Sequence, residues 1–245
     1  MKKIGIIGGL TFLSTAKAYR TINEASSGLL GGYNTAEVLM ISVNPTRIIE
    51  AMKEEKWHLV SQQLITAAMD LEKLGADCVL IPCNSIHKIA DEIQQNISIP
   101  LINMMDCVGD YLYHHHFSVV GLLGTVFTME SGFYQRHLEE KFQIKVKIPS
   151  EKDRKKIHHI ILNELCVGNF NEKSRNFLIE ICHRLADQGC ETIILGCTEL
   201  PLLIKPENTP VPLVNTLCIQ SEYAVRYALR EEIEKIKVSQ VDTKN

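Results

Sequence analysis

Two cysteines close two near-copies of one phrase. Residues 75–85 read GADCVLIPCNS, and residues 189–199 read GCETIILGCTE. Each has a glycine, an acidic residue two later, an apolar run, and a cysteine followed by a small polar residue. The cysteines are Cys83 and Cys197. Two thiols aimed at opposite faces of a small molecule can remove a proton from one side and return one to the other. Such a pair needs contacts of roughly 3–3.5 Å on each side of the reacting carbon, hence sulfurs about 7 Å apart, far beyond the S–S bond of about 2 Å in a disulfide.

A free thiol is only a few per cent thiolate near neutral pH. A helix N-terminus lowers a cysteine pKa by placing partial positive charge beside the sulfur. The apolar run before each cysteine predicts a strand, and the residues after it predict a helix start. Cys83 precedes a predicted helix over Ser85–Ile93. Cys197 precedes Thr198, a good N-cap, with Pro201 in the first turn. Backbone N–H groups at these helix ends can hold a substrate carboxylate, and Asn84, Ser85, Thr125 and Thr198 can add donors.

The surrounding pattern alternates strands and helices. Ile4–Ile7, closed by Gly8-Gly9, reads as a buried parallel strand. A helix follows, with Ser14 or Thr15 near its cap and Ala18, Ile22 and Ala25 at helical spacing. Gly31-Gly32 marks a turn, Ala36–Val43 a strand, and Asn44-Pro45 its end. Val60, Leu64, Ala67, Ala68, Leu71 and Leu74 share a helical face, with Gly75 as the cap. Val119–Gly124 repeats the opening strand, Leu178, Ile181 and Leu185 the later helix, Gly189 its cap, and Ile193–Leu195 the strand before Gly196-Cys197. Ile99–Asn103 (IPLIN) is echoed by Val211–Asn215 (VPLVN). Matches in the same order indicate duplication. The expected fold class is α/β, with two pseudo-symmetric domains, each a parallel-rich sheet flanked by helices, and the active site in the cleft between them. The expected domains are residues 1–98 plus 212–245, and residues 99–211.

Composition narrows the function class. A formal net charge of −3 gives no reason to expect nucleic acid or an acidic membrane as partner. No apolar run reaches the roughly 18–20 residues that cross a bilayer, and the short run after Met1-Lys2-Lys3 stops at Gly8-Gly9, which argues against a signal peptide. The eight cysteines show no CxxC pair and no zinc spacing. Cys78, Cys182 and Cys190 read as buried core, and the reducing cytoplasm is the expected compartment. Consecutive residues do not share a face, so His114-His115-His116 reads as a solvated helix end rather than a metal site. Gly8-Gly9 lacks the G-x-G-x-x-G spacing of a dinucleotide loop. Glu151–Lys156 reads as a solvated helix start, and Lys237–Asn245 as a frayed tail.

Four motifs resemble the aspartate/glutamate racemase family. They are Gly8-Gly9-Leu10, Cys83-Asn84-Ser85-Ile86-His87 for C-N-T-x-H, Gly196-Cys197-Thr198-Glu199 for G-C-T-E, and GLLGTVFTME at 121–130, which carries Thr125 and Thr128. The resemblance spans nearly the whole chain. It implies two-base racemisation of an amino acid by Cys83 and Cys197, no cofactor and no metal, and a homodimer. It also implies a substrate site drawn from Leu10, Arg47, Asn84, Ser85, Thr125, Thr128, Thr198 and Glu199. Where the family commonly has Gly-Pro or Ser-Trp after its first glycines, this chain has Thr11-Phe12. GGLTFLST and GTVFTME are closest to a broad-specificity subgroup, some of whose members carry Thr at the position of Cys83.

Substrate choice stays open between classes. Arg47 stands where aspartate racemases place an arginine on the side-chain carboxylate, which favours aspartate or glutamate; a solvated surface residue is the other reading. Cys166 stands where those enzymes use a lysine, so half of that cationic clamp is missing. His87 either tunes Cys83 or orients its loop, or is an ordinary helix histidine. Glu199 suits substrate positioning or loop hydrogen bonding more than proton transfer, because a nearby carboxylate raises a thiol pKa. Hydantoin racemase, maleate isomerase-like and decarboxylase chemistry on the same fold are alternatives, as is a non-catalytic amino-acid binding protein, which would have no need of paired thiols.

Overall fold

The computed structural model describes residues 1–230, and the predicted tail at Lys237–Asn245 lies outside them. The chain forms two compact units. Among the described residues the first comprises Met1–Pro82, Ile89–Asn103 and residues 220–230; the second comprises Cys83–Lys88 and Met104–Ile219.

The first unit opens with β1 (Ile4–Gly8), buried along its whole length as its continuous apolar run requires. Helix α1 (Phe12–Leu30) is capped by Thr11, whose Oγ1 accepts from the Ser14 backbone N–H at 3.1 Å. The cap is therefore upstream of the expected Ser14 or Thr15, whose side chains instead turn back onto the Thr11 carbonyl. Next come β2 (Val38–Ser42) and α2 (Pro45–Lys53). Asn44-Pro45 ends the strand as expected, but it also starts a helix the sequence reading missed. Asn44 Oδ1 accepts from Thr46 N–H at 3.0 Å, and Pro45 takes the first helical position, where no N–H is needed. Helix α3 (Trp57–Lys73) buries Val60, Leu64, Ala67, Ala68 and Leu71; Leu74 is exposed because it caps the helix beyond that face. Gly75 follows at φ 90°.

Strand β3 (Cys78–Leu80) completes a parallel sheet of order β2-β1-β3, extended by a bridge from Val79 to Leu101. Instead of one helix over Ser85–Ile93, a 3-10 helix spans Asn84–Ile89 and a short α4 spans Ala90–Gln94. Ile4, Ile6, Ile22, Leu80, Ala224, Val225 and Leu229 pack together as the core of this unit.

The second unit contains α5 (Met104–His114), β4 (Val119–Gly124), α6 (Val126–Met129), α7 (Phe133–Phe142), β5 (Lys145–Lys147) and α8 (Glu151–Asn163). A 3-10 turn at Leu165–Val167 leads to α9 (Glu172–Asp187), β6 (Thr192–Gly196), α10 (Leu200–Leu203) and β7 (Leu213–Asn215). Helix α11 (Thr216–Ala228) begins here and runs on into the first unit. All ladders are parallel, in the order β5-β4-β6-β7. This repeats the first sheet position for position: the opening strand is central, the second lies on one side, the cysteine-bearing phrase on the other, and the IPLIN or VPLVN segment beyond it. The expected boundary before residue 212 falls just ahead of β7, which pairs with β6 and stays with the second unit. No helix among the described residues is long and apolar enough to cross a membrane.

Candidate active site

Both cysteine loops belong to the second unit, because the segment Cys83–Lys88 packs with it although β3 does not. Cys83 lies between β3 and the 3-10 helix, and Cys197 directly follows β6. Both are partly exposed and free of disulfides. The tight end of β6 depends on small residues. A Cβ on Gly124 would stand 2.9 Å from the Gly196 carbonyl oxygen, and one on Gly196 would stand 2.9 Å from that of Leu123.

Glu199, almost wholly buried, organises the second loop. Its Oε2 accepts the Cys197 thiol at 3.0 Å and the Thr198 hydroxyl at 2.8 Å. The same carboxylate acts electrostatically on Cys83 and on Cys166, which sits in the 3-10 turn packed against α10. Three thiols thus share the field of one carboxylate.

Burial, reinforced by that field, reverses the expected thiol acidity. Burial pushes Cys83 up to about 12, with the Glu199 charge adding to it, against weaker lowering by the Ile86 and Ser85 backbone. Burial pushes Cys197 well above the ordinary thiol value, followed by the Glu199 and Cys166 charges and the thiol's own hydrogen bond. Cys166 is likewise raised to about 12, by burial and then Glu199. The predicted helix starts do not offset this. The helix after Cys197 has four residues and is capped by Glu199 rather than Thr198, and the one after Cys83 is a 3-10 turn; neither builds a substantial macrodipole.

Ser85, Thr125 and Thr128, far apart in sequence, converge. Ser85 Oγ lies 3.2 Å from Thr125 Oγ1 and 3.0 Å from Thr128 Oγ1, all three buried. Asn84 Nδ2 donates to Thr216 Oγ1 at 3.0 Å, and Thr216 donates to the Leu195 carbonyl at 3.1 Å. Thr216 therefore ties the Cys83 loop to the strand that carries Cys197, a link the sequence reading did not include; its only signal was its place after the repeated VPLVN strand. Asn84 Oδ1 is buried and has no hydrogen-bond partner among the described residues. Leu10, buried, and Arg47, exposed near the start of α2, belong to the first unit.

Residues 7–223 match the family model for Asp/Glu/hydantoin racemase. The chain belongs to the Asp/Glu/hydantoin racemase family. Its similarity to the broad-specificity amino-acid racemase RacX of Bacillus subtilis (strain 168) is 25% identity, over 87% of this chain and 92% of that protein. Among solved structures, an aspartate racemase homologue from Pyrococcus horikoshii OT3 is 33% identical, with a TM-score of 0.82, over 93% of this chain and 99% of that one. A protein assigned to the Asp/Glu racemases from Yersinia pestis is 36% identical, with a TM-score of 0.88, over 94% and 100%. This family member carries the two-sheet α/β architecture of those structures. Among its described residues no group of three His, Cys, Asp or Glu side chains could hold a metal ion.

Proposed function

We propose that this family member racemises an amino acid by proton transfer at the α-carbon between Cys83 and Cys197, without a cofactor. The observation that carries the reading is the buried Glu199 carboxylate acting on both thiols. One sulfur, as thiolate, takes the α-proton from one face; the other, as thiol, delivers its proton to the opposite face. The substrate leaves inverted, and the two sulfurs exchange protonation states. Reaction in the other direction restores them.

The raised pKa values describe the free protein. A substrate ammonium beside Glu199 neutralises the charge that repels a thiolate, and so eases loss of one thiol's proton to solvent, which forms the base when substrate is present. The unpartnered Asn84 Oδ1 is a second acceptor for that ammonium. Hydroxyls of the Ser85, Thr125 and Thr128 cluster are donors for the α-carboxylate, whose hydrogen bonds stabilise the carbanion-like state, while Thr198 spends its proton on Glu199 and holds that carboxylate in place.

For the side chain, aspartate or glutamate is the first reading, with Arg47 as the carboxylate's partner. A broader, non-acidic specificity is the second. It is favoured by the likeness to RacX. The test is turnover of L- and D-amino acids in D₂O, followed by chiral chromatography and mass spectrometry. The expected result is α-deuteration with inversion in the wild type, and loss of inversion in Cys83→Ser and in Cys197→Ser. Full activity in either serine variant would exclude the two-thiol mechanism. Binding without exchange would favour an amino-acid binding protein.

A further inference from the structure

His87 is a buried titratable side chain for which the proposed reaction has no use. It lies one turn after Cys83 in the 3-10 helix and is only 2% exposed. Its Nδ1 stands 2.9 Å from the Cys83 backbone carbonyl oxygen. A carbonyl can only accept, so Nδ1 carries the ring proton. The Asn84 backbone is a second hydrogen-bond partner of the imidazole. Burial holds the imidazolium pKa down at about 4, so the ring is neutral near pH 7.

Charged groups of neighbouring helices also act on His87. Asp106 on α5 and His137 on α7 both act on it electrostatically. Asp106 Oδ1 accepts from His137 Nε2 at 2.7 Å and from Lys141 Nζ at 2.6 Å, which fixes that carboxylate. The imidazole therefore lies in the field of a fixed polar cluster while it bonds the backbone of the two residues at the head of the Cys83 loop. A 3-10 turn offers its first residues few backbone bonds of its own. A side-chain donor to the Cys83 carbonyl restrains the peptide plane after Cys83, and with it the direction of the Cα–Cβ bond that carries the sulfur.

The geometry points to His87 as a positioning residue: its Nδ1–H clamps the Cys83 carbonyl and thereby sets the aim and accessibility of the Cys83 thiol, with no part in proton transfer to substrate. This rests on the reading of Cys83 as a reacting thiol, but its test needs no substrate and so can fail independently of that reading.

The test compares His87→Asn with His87→Gln in the full chain. The Asn amide nitrogen sits close to where Nδ1 stood, whereas the Gln amide nitrogen sits where Nε2 stood. Iodoacetamide is the probe, and alkylation of Cys83 and Cys197 is followed by peptide mass spectrometry, with Cys197 as internal reference. His87→Gln is expected to raise Cys83 alkylation about threefold or more relative to Cys197, while His87→Asn stays within about 1.5-fold of wild type. A role in filling space alone predicts the opposite order, since Gln matches the volume of the ring better. Equal behaviour of the two variants, or an unchanged Cys83 rate in His87→Gln, overturns the proposal. Should His87→Gln not fold, the imidazole ¹⁵N spectrum of the wild type decides: an Nδ1–H tautomer for His87 is expected, and an Nε2–H tautomer overturns the clamp.

Discussion

The Glu199 carboxylate accepts the Cys197 thiol proton across 3.0 Å, from a residue only two positions along the chain. A carboxylate in that place stabilises the thiol over the thiolate. It also holds the sulfur in one orientation, with its proton turned toward the loop. Together with burial this makes the resting cysteine pair a pair of thiols.

Thiol acidity is the most direct consequence. Because Cys83 is raised to about 12 and Cys197 is raised well above the ordinary thiol value, the thiolate fraction of each grows throughout the accessible alkaline range. Iodoacetamide alkylation of both sites in the free protein should climb by close to tenfold per pH unit from about pH 7 to 10, with no plateau. A plateau near pH 8 at either cysteine would show a thiol lowered by its helix start.

Removing the carboxylate separates its two effects. Glu199→Gln keeps a side chain of the same shape but deletes the like charge on Cys197 and Cys83. Cys197 should alkylate faster at pH 8, by about tenfold, and Cys83 by a smaller factor. Turnover should fall nonetheless, with most of the change in KM, because the substrate ammonium loses its counter-charge. Unchanged Cys197 reactivity would remove Glu199 as a cause of its high pKa.

Arg47 distinguishes the substrate readings. If aspartate or glutamate is the substrate, Arg47→Ala should raise KM for it by roughly 10-fold or more, the loss expected for a charged hydrogen-bonded pair, and leave neutral amino acids unaffected. Turnover of neutral or basic amino acids with none of aspartate would take Arg47 out of that role.

The buried His87 makes stability depend on acid. Its folded pKa of about 4 lies below the unfolded value of about 6.5, so between those pH values the unfolded chain binds the proton and the folded chain does not. Stability therefore falls as pH drops from about 6.5 to 4, by on the order of 3 kcal/mol from this residue. His87→Asn has no such group. Urea denaturation at pH 7 and pH 4.5 should show wild type losing stability relative to the variant; a pH-independent difference would contradict a neutral buried imidazole.

Gly9 tests the first glycine loop. Its φ of 90° disfavours any side chain, and a Cβ there would collide with the Val43 carbonyl. Gly9→Ala should cost at least about 2 kcal/mol in urea denaturation. A cost below about 0.5 kcal/mol would show that the loop can relax.

Much was legible in the sequence because it is local or repeated. The two apolar phrases ending in Cys83 and Cys197 place strands that the structure orders in parallel sheets of matching topology. Gly75 and Gly189, both at φ 90°, end their helices as their positions in the two phrases suggest. Local reading failed where one residue serves two elements. Pro45 closes a strand and opens α2, and Thr11 caps α1 while the more conspicuous Ser14 bonds back to it.

The amino-acid sequence by itself determines which residue types the proposed chemistry draws on: two cysteines in duplicated settings, with Asn84, Ser85, Thr198 and Glu199 beside them. Only the tertiary structure decides their chemical state. Desolvation depends on everything packed around a sulfur, and a Coulomb interaction on distance through space, so neither can be read from neighbours along the chain. Folding brings Ser85 to Thr125 and Thr128, Asn84 to Thr216, and the charge of Glu199 onto Cys83. The helix-end thiols, expected to be acidic, are for that reason protonated ones that share the field of a single buried carboxylate.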